Sequence, residues 1–446
     1  MVPVRDADVQ RPSHEIFSHP SKKVTLIRTP VRLSLRNFFA SLGPGIITGA
    51  ADDDPSGVAT YSIAGAQLGT SLLWTAWLTW PLMAAVQMMC ARIGMVTGRG
   101  LAGALTEKFP KPVLLIACTA LLFANTINVA SDLAGMADAT EVLTGVTSHI
   151  YVVVFGIAIT IAIIRFRYHQ IAHILKWLVI SLFSYVLVAF FVSPDWRQVA
   201  HDTLIPSVPS SKEEWETLVA ILGTTISPYL FFWQSAQEVE EEEAMGRRLL
   251  VEREGATRKE LADRRLDVGV GTFLSNVVMF FIILTTSATL HTHGLTVISS
   301  SKEAAEALRP LAGNFAAAIY AVGIVAAGFL AIPTLAGSAA YAFAEVLDWS
   351  RGLDAKLYQA QAFYAAIGGS VLCGIALDFL NVNPITALFW TAIINGVLAP
   401  FLLVGVLLTA RDKTIMVGQP SSTLSQVVVA LTALIMFAAA IGMMVV

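Results

Sequence analysis

Asp52, Asp53 and Asp54 stand in a row, followed by Pro55, Ser56 and Gly57, inside a stretch otherwise apolar enough to cross a membrane. The flanking runs are GPGIITGAA and VATYSIAGAQLG. An ionised Asp at the centre of a membrane helix costs roughly 2.5–3.5 kcal/mol on insertion scales, so three facing lipid would cost on the order of 7–10 kcal/mol. That is comparable with the stability of a whole domain. Pro55 lacks an amide donor and clashes with the preceding turn, and Ser56 and Gly57 weaken helix further. The chain therefore unwinds at mid-membrane depth and leaves carbonyls without helical partners. Such backbone is tolerated there only where it lines a cavity or a site. The bland alternative is that Asp54 caps a second half-helix with Pro55 at its first position. That accounts for Asp54 but not for Asp52 or Asp53, and carboxylates with free carbonyls are the donors of a cation site.

A second interruption lies in ILGTTISPYLFFWQSAQE, Ile221 to Glu238, where Pro228 follows Thr224, Thr225 and Ser227. Proline kinks are common in membrane helices, so the position carries the weight. One break falls in the first span and the other in the sixth. Paired breaks at matching places of two five-helix halves mark an inverted-repeat transporter with its site near the midplane.

The elements that must hold these residues follow from composition. The chain has 446 residues, is 55% hydrophobic and 14% charged, and has a mean hydropathy of +0.68. That excludes an ordinary soluble domain and a disordered chain. About eleven stretches reach the roughly 20 apolar residues a membrane helix needs. They lie near 38–68, 71–97, 112–137, 149–165, 173–193, 215–237, 266–290, 314–334, 357–377, 384–409 and 424–446, with 335–350 continuing the eighth. A barrel would show alternating segments of about ten residues instead. The expectation is an all-α integral membrane protein in the lipid bilayer, with helices 1 and 6 unwound. Residues 38–193 form the first repeat, 215–409 the second, and 424–446 an eleventh helix.

Residues 1–37 read as a basic tail with no signal-peptide core. Arg5, Arg11, Lys22, Lys23, Arg28, Arg32 and Arg36 place it in the cytoplasm. With eleven spans the external loops hold only Arg197, Lys212, Lys302 and Arg309 of the 29 basic residues. The net charge of −3 gives no sign of a nucleic-acid partner. Cys90, Cys118 and Cys373 fall in apolar segments and read as packing residues. The acidic run Glu240 to Glu243, in the connection 238–265, reads as a solvated helix. The loop 194–214 reads as ordered, and His291 and His293 as incidental rather than as metal ligands.

With these residues in place, the chain resembles the Nramp family of divalent metal transporters. The run GPGIITGAADDDPSG, Gly43 to Gly57, is similar to that family's first-helix motif, GPG, nine residues, then DPGN. LGTTISPYL, Leu222 to Leu230, resembles its sixth-helix motif, LGA followed by MPH. VASDLAG, Val129 to Gly135, resembles its third helix and AVGIVAAG, Ala321 to Gly328, its eighth. The resemblance implies the eleven-helix form of the five-plus-five inverted repeat, in a bacterial inner membrane, with no enzyme activity and no cofactor beyond the metal ion carried as substrate. Asp54 then matches the metal-binding aspartate. Gly57 falls at the ligand asparagine, Thr224 at a contributing backbone carbonyl, Ser227 at the methionine, and Tyr229 at the histidine after the proline. Asp132 matches a proton-pathway acid, Gly135 replaces a glutamate of that pathway, and Ala392 falls near a ligand glutamine.

These departures alter the chemistry. A thioether is a soft ligand that favours transition metals, whereas a hydroxyl is hard. Asp54, Ser227, carbonyls and waters make an all-oxygen site, with Asp52 or Asp53 standing in for the asparagine. Oxygen ligands suit Mn²⁺, Mg²⁺ and Ca²⁺. The expectation is import of Mn²⁺ and related hard ions by alternating access, with Mg²⁺ close behind and a monomer favoured. Asp132 either carries protons, in a symport, or sits as a buried hydrogen-bonded group beside Asn125 and Asn128. Without coupling, the inside-negative potential contributes roughly 2.3 kcal/mol per charge per 100 mV. The main rival is an organic-cation or amino-acid transporter of the same fold. An acidic break repels carboxylates, but Tyr61, Phe231, Phe232 and Trp233 offer cation–π walls to an organic cation. No nucleophile–base pair or phosphate loop supports a membrane enzyme.

Overall fold

The structure is a computed structural model that describes residues 44–165, 180–353, 355–380 and 382–446. The basic tail, residues 38–43 of the expected first span and residues 173–179 of the fifth lie outside the described residues. The first span is two helices, α1 (Pro44–Asp52) and α2 (Pro55–Leu68). Then come α3 (Trp74–Thr97), α4 (Lys111–Thr144), α5 (Ser148–Arg165) and, after a 3₁₀ turn, α6 (Ser184–Val192). The sixth span is again two helices, α7 (Lys212–Thr225) and α8 (Pro228–Ala244). The remainder is α9 (Arg258–Thr289), α10 (Ala316–Leu347), α11 (Gln361–Asp378), α12 (Pro384–Ala410) and α13 (Thr423–Val445). No strand occurs among the described residues.

Seven of these helices are long and apolar enough to cross a membrane. The two broken spans are not among them because no unbroken helix of sufficient length remains in either. The expectation of one interruption in each of the first and sixth spans is met at the expected residues. The eighth helix does run on through 335–347.

Burial sorts the helices. From Pro55 to Ala66 every residue of α2 is buried, and α8 is buried from Pro228 to Ala236. These half-helices lie at the centre, so polar side chains on them face protein. The outer helices show lipid-facing rows instead. Ile150, Val154, Ile157, Ile161 and Ile164 of α5 are exposed, as are Leu424, Val427, Leu431 and Leu434 of α13. The steps of three and four residues put each row on one helix face.

Helix α9 carries the stripe that places α1. Asp267, Gly271 and Ser275 recur every four residues and so share a face. Asp267 accepts hydrogen bonds from the Gly45 and Ile46 amides at 2.8 and 3.2 Å, using two orphan donors at the start of α1. One turn on, a Cβ on Gly49 would stand 2.5 Å from the Gly271 carbonyl, so only two glycines let the helices approach this closely. Ser275 then meets the acidic break.

Two surface expectations change. The acidic run is only partly solvated: Glu243 is exposed, but its neighbours are engaged by the protein. Glu238 and Glu242 are buried, and Arg264 of α9 pairs with Glu238 at 2.7 Å, with Asp267 at 2.6 Å and with Glu241. Arg247 pairs with Glu242 at 3.4 Å and Glu260 at 2.5 Å, and Glu240 accepts from Tyr341 and from the Leu353 amide. Burial forces each charge to find a partner, and a charge count along the sequence does not show that packing. Of the cysteines, Cys90 and Cys118 are buried as expected, while Cys373 is exposed on α11. The loop 194–214 is ordered, with a helix at Trp196–Leu204 whose Asp202 accepts from Thr70.

Candidate metal site

Both breaks have one design, a cap residue in extended conformation followed by proline at the first helical position. Asp54 caps α2 at φ −69°, ψ 169°, and its Oδ1 accepts from the Gly57 amide at 2.6 Å. Ser227 occupies the cap position of α8 at φ −74°, ψ 134°, but its hydroxyl does not cap forward. It donates back to the Gly223 and Thr224 carbonyls at 2.7 and 2.8 Å. One hydroxyl has one proton and two lone pairs, so the lone pairs of Ser227 remain open to a cation. The amides opening α8 have no side-chain cap.

The two breaks meet over Gly57. A Cβ there would stand 3.1 Å from the Asp52 carbonyl oxygen, 3.1 Å from Thr224 Oγ1 and 3.4 Å from Asp54 Oδ1. Three oxygens from both broken spans thus rim a space that any side chain at position 57 would enter. Tyr229 Oη is within hydrogen-bond reach of Asp54 Oδ2 at 3.3 Å and of the Ala51 carbonyl at 3.1 Å. All these groups are buried, and the three atoms nearest a Cβ at Gly57 are all oxygen. The structure brings Asp54, Gly57 and Thr224 together, with Ser227 at the adjoining break.

Asp52 and Asp53 turn elsewhere. Ser275 Oγ of α9 lies 2.7 Å from Asp52 Oδ2 and 3.1 Å from Asp53 Oδ1. Sequence reasoning missed Ser275. The signal was the polar pair Ser275–Asn276 inside the apolar run TFLSNVVMF. Asn276 is used structurally, accepting from Thr79 Oγ1 at 2.7 Å. Among the described residues no three His, Cys, Asp or Glu side chains converge on one ion position, in keeping with carboxylates that diverge.

Asp132 of α4 is fully buried and neither carboxylate oxygen has a hydrogen-bond partner. It lies within electrostatic reach of Asp54 and close to the Ser56 amide. Asn128, one turn away, is buried with its whole side-chain amide unpartnered, while Asn125 donates to Ser338 and to the Leu335 carbonyl. Asn125 and Asn128 therefore give Asp132 no hydrogen bond among the described residues. At Gly135 a Cβ would stand 2.9 Å from Leu388, so α12 fills the space a longer side chain would need. Ala392 packs its carbonyl against Gly223 and presents no donor side chain. His291 and His293 are engaged by the Ala66 and Thr289 carbonyls at 2.9 and 2.7 Å, and Asp138 accepts from the Ser301 amide at 2.8 Å.

Comparisons with known proteins place the chain in a family. Residues 45–446 match the family described as natural resistance-associated macrophage protein-like. The divalent metal cation transporter MntH of Yersinia enterocolitica is 29% identical over 325 residues, 70% of this chain and 75% of that protein. MntH of Yersinia pestis (strain Pestoides F) is 30% identical over 317 residues, 69% and 73% of the two chains. Among solved structures, the Eremococcus coleocola manganese transporter in complex with an aromatic bis-isothiourea substituted compound superposes with a TM-score of 0.67 at 19% identity. That match covers 91% of this chain and 88% of the other.

Proposed function

Because this chain belongs to the natural resistance-associated macrophage protein (Nramp) family, we propose that it carries divalent metal cations across a membrane, binding each ion where the two broken spans meet. The observation that carries this reading is the convergence of the Asp54 carboxylate, the Asp52 carbonyl and the Thr224 hydroxyl over Gly57. A cation there gains a formal charge from Asp54 and neutral oxygens from both halves of the molecule. Ser227 adds lone pairs in place of a sulfur. Hard oxygen donors favour Mn²⁺ and Mg²⁺ over Cd²⁺ and over iron. We order them Mn²⁺ first and Mg²⁺ close behind.

The ion binds between half-helices of two repeats, so rocking one repeat against the other exposes it to each side in turn. Asp132 supports a proton role, because a buried carboxylate with no partner needs either a proton or a mobile neighbour. Gly135 removes a second carboxylate from that route, and Leu388 closes over its place. The basic tail assigns the N-terminus to the cytoplasm, and the family resemblance assigns the membrane to the bacterial inner membrane.

The test is uptake into liposomes holding the full chain, comparing Mn²⁺, Mg²⁺ and Cd²⁺ with and without a pH gradient. Entry of Mn²⁺ and Mg²⁺ with little Cd²⁺, falling to the background of empty liposomes in Asp54→Ala, is the expected result. Acceleration by the gradient, lost in Asp132→Asn, supports coupling. Cd²⁺ entry equal to Mn²⁺ overturns the hard-site reading. Absence of any divalent entry from folded protein favours an organic cation instead.

A further inference from the structure

We infer that Asp52, Asp53 and Ser275 form a second cation site, beside the Asp54 site, that takes a small hard monovalent cation of the Na⁺ class. The inference rests on Asp54 being the station of the transported divalent ion.

The contacts of Ser275 lead to it. Its hydroxyl stands 2.7 Å from one carboxylate oxygen of Asp52 and 3.1 Å from one of Asp53. A serine hydroxyl carries one proton. It donates to one carboxylate, which leaves its lone pairs facing the other acid, and a cation between them turns that repulsion into coordination. The second Asp52 oxygen, Oδ1, is buried with no hydrogen-bond partner. Asp52 is 0% exposed and Asp53 3% exposed, so bulk solvent does not reach them. A buried acceptor of this kind is expensive unless something meets it.

Among the described residues no ion pair joins these acids to a basic side chain. The ion pairs of Arg264 serve Glu238, Glu241 and Asp267 near the start of α1, and Arg264 stands about three turns of α9 from Ser275. Tyr61 lies within electrostatic reach of all three aspartates, and its hydroxyl is buried beside Thr224. Charge selects the valence. With both site ions bound, three ionised aspartates carry three negative charges, and the divalent ion at Asp54 balances two. One monovalent cation completes neutrality, whereas a second divalent ion would overshoot it close to the first.

The test is saturable binding of ²²Na⁺ to the purified full chain, with Mn²⁺ binding measured in parallel. Wild type is expected to hold one Na⁺ per chain. Ser275→Ala and Asp52→Asn should weaken Na⁺ at least tenfold while Mn²⁺ binding persists. Asp54→Asn should lose Mn²⁺ and retain Na⁺. If Asp52→Asn does not fold, Ser275→Ala, which removes only the bridging oxygen, carries the test. The inference is overturned if folded wild type binds Mn²⁺ but no saturable Na⁺, or if Ser275→Ala leaves Na⁺ binding unchanged. It is equally overturned if wild type takes two Mn²⁺ per chain regardless of Na⁺. Mn²⁺ binding that survives Asp54→Asn while Na⁺ behaves as expected would sink the transported-ion assignment and spare this site.

Discussion

At the scale of the residue, the hardness of the site turns on position 227. Ser227 is buried and its proton is committed to α7 carbonyls, so it offers only oxygen lone pairs. Ser227→Met would replace them with a thioether. The added bulk costs about 1–3 kcal/mol of overpacking, softened by the flexibility of methionine. The expected gain in Cd²⁺ over Mn²⁺ is about tenfold, or 1.4 kcal/mol, measured as competition of one ion against uptake of the other. An unchanged ratio in a folded variant would mean that position 227 does not touch the ion. Asp54 and Pro55 were legible in the sequence because capping is local chemistry. Where Asp52 and Asp53 point was not. Their partner Ser275 is 223 and 222 residues away, and only the packing of α9 brings it to the break. The direction of the Ser227 proton is likewise a property of the folded turn.

Helix positions depend on close approach. The α1–α9 crossing rests on Gly49 and Gly271, where a Cβ on Gly49 would lie 2.5 Å from the opposing carbonyl. Gly49→Ala must push the helices apart. It is expected to lower thermal stability by about 1–3 kcal/mol and to reduce uptake, because α1 ends in the aspartates. Gly269→Ala, on the same helix, is the control. Nothing lies within 4 Å of a Cβ there, so the variant should melt and transport as wild type. Equal behaviour of the two variants would show that the crossing tolerates separation. The number and order of spans were legible because each span must satisfy its own backbone in lipid, which imprints length and apolarity on the sequence. Crossings were not, because a glycine in an apolar run signals closeness without naming the partner helix.

For the molecule as a whole, the polar cluster at the start of α1 is the feature most consequential for transport. Asp267 holds the first amides of α1, and Arg264 ties Asp267 to Glu238 and Glu241 of α8. One cluster therefore joins the start of α1 and the end of α8 to α9. Read from sequence, Glu240 to Glu243 was a charged, solvated surface. Glu242 is instead drawn inside and Glu240 and Glu241 are partly covered because α8 and α9 pack there, while Glu243 stays exposed. While the cluster is intact, α1 is held against α9 and the aspartates stay covered. Asp267→Asn removes the charge that makes both bonds to α1. Hydrogen bonds to charged groups contribute about 1.5–3 kcal/mol each, so weakening two should raise the population with α1 released at least tenfold. Thr48, buried on α1, reports the change as Thr48→Cys in a chain whose three native cysteines are replaced. Its labelling by a membrane-impermeant thiol reagent, applied from the side of the N-terminus, should speed up in Asp267→Asn. Mn²⁺ at saturation should slow it again if release exposes the ion site. A labelling rate equal to that of the parent would mean that the cluster only stabilises the fold, and that some other contact governs the opening.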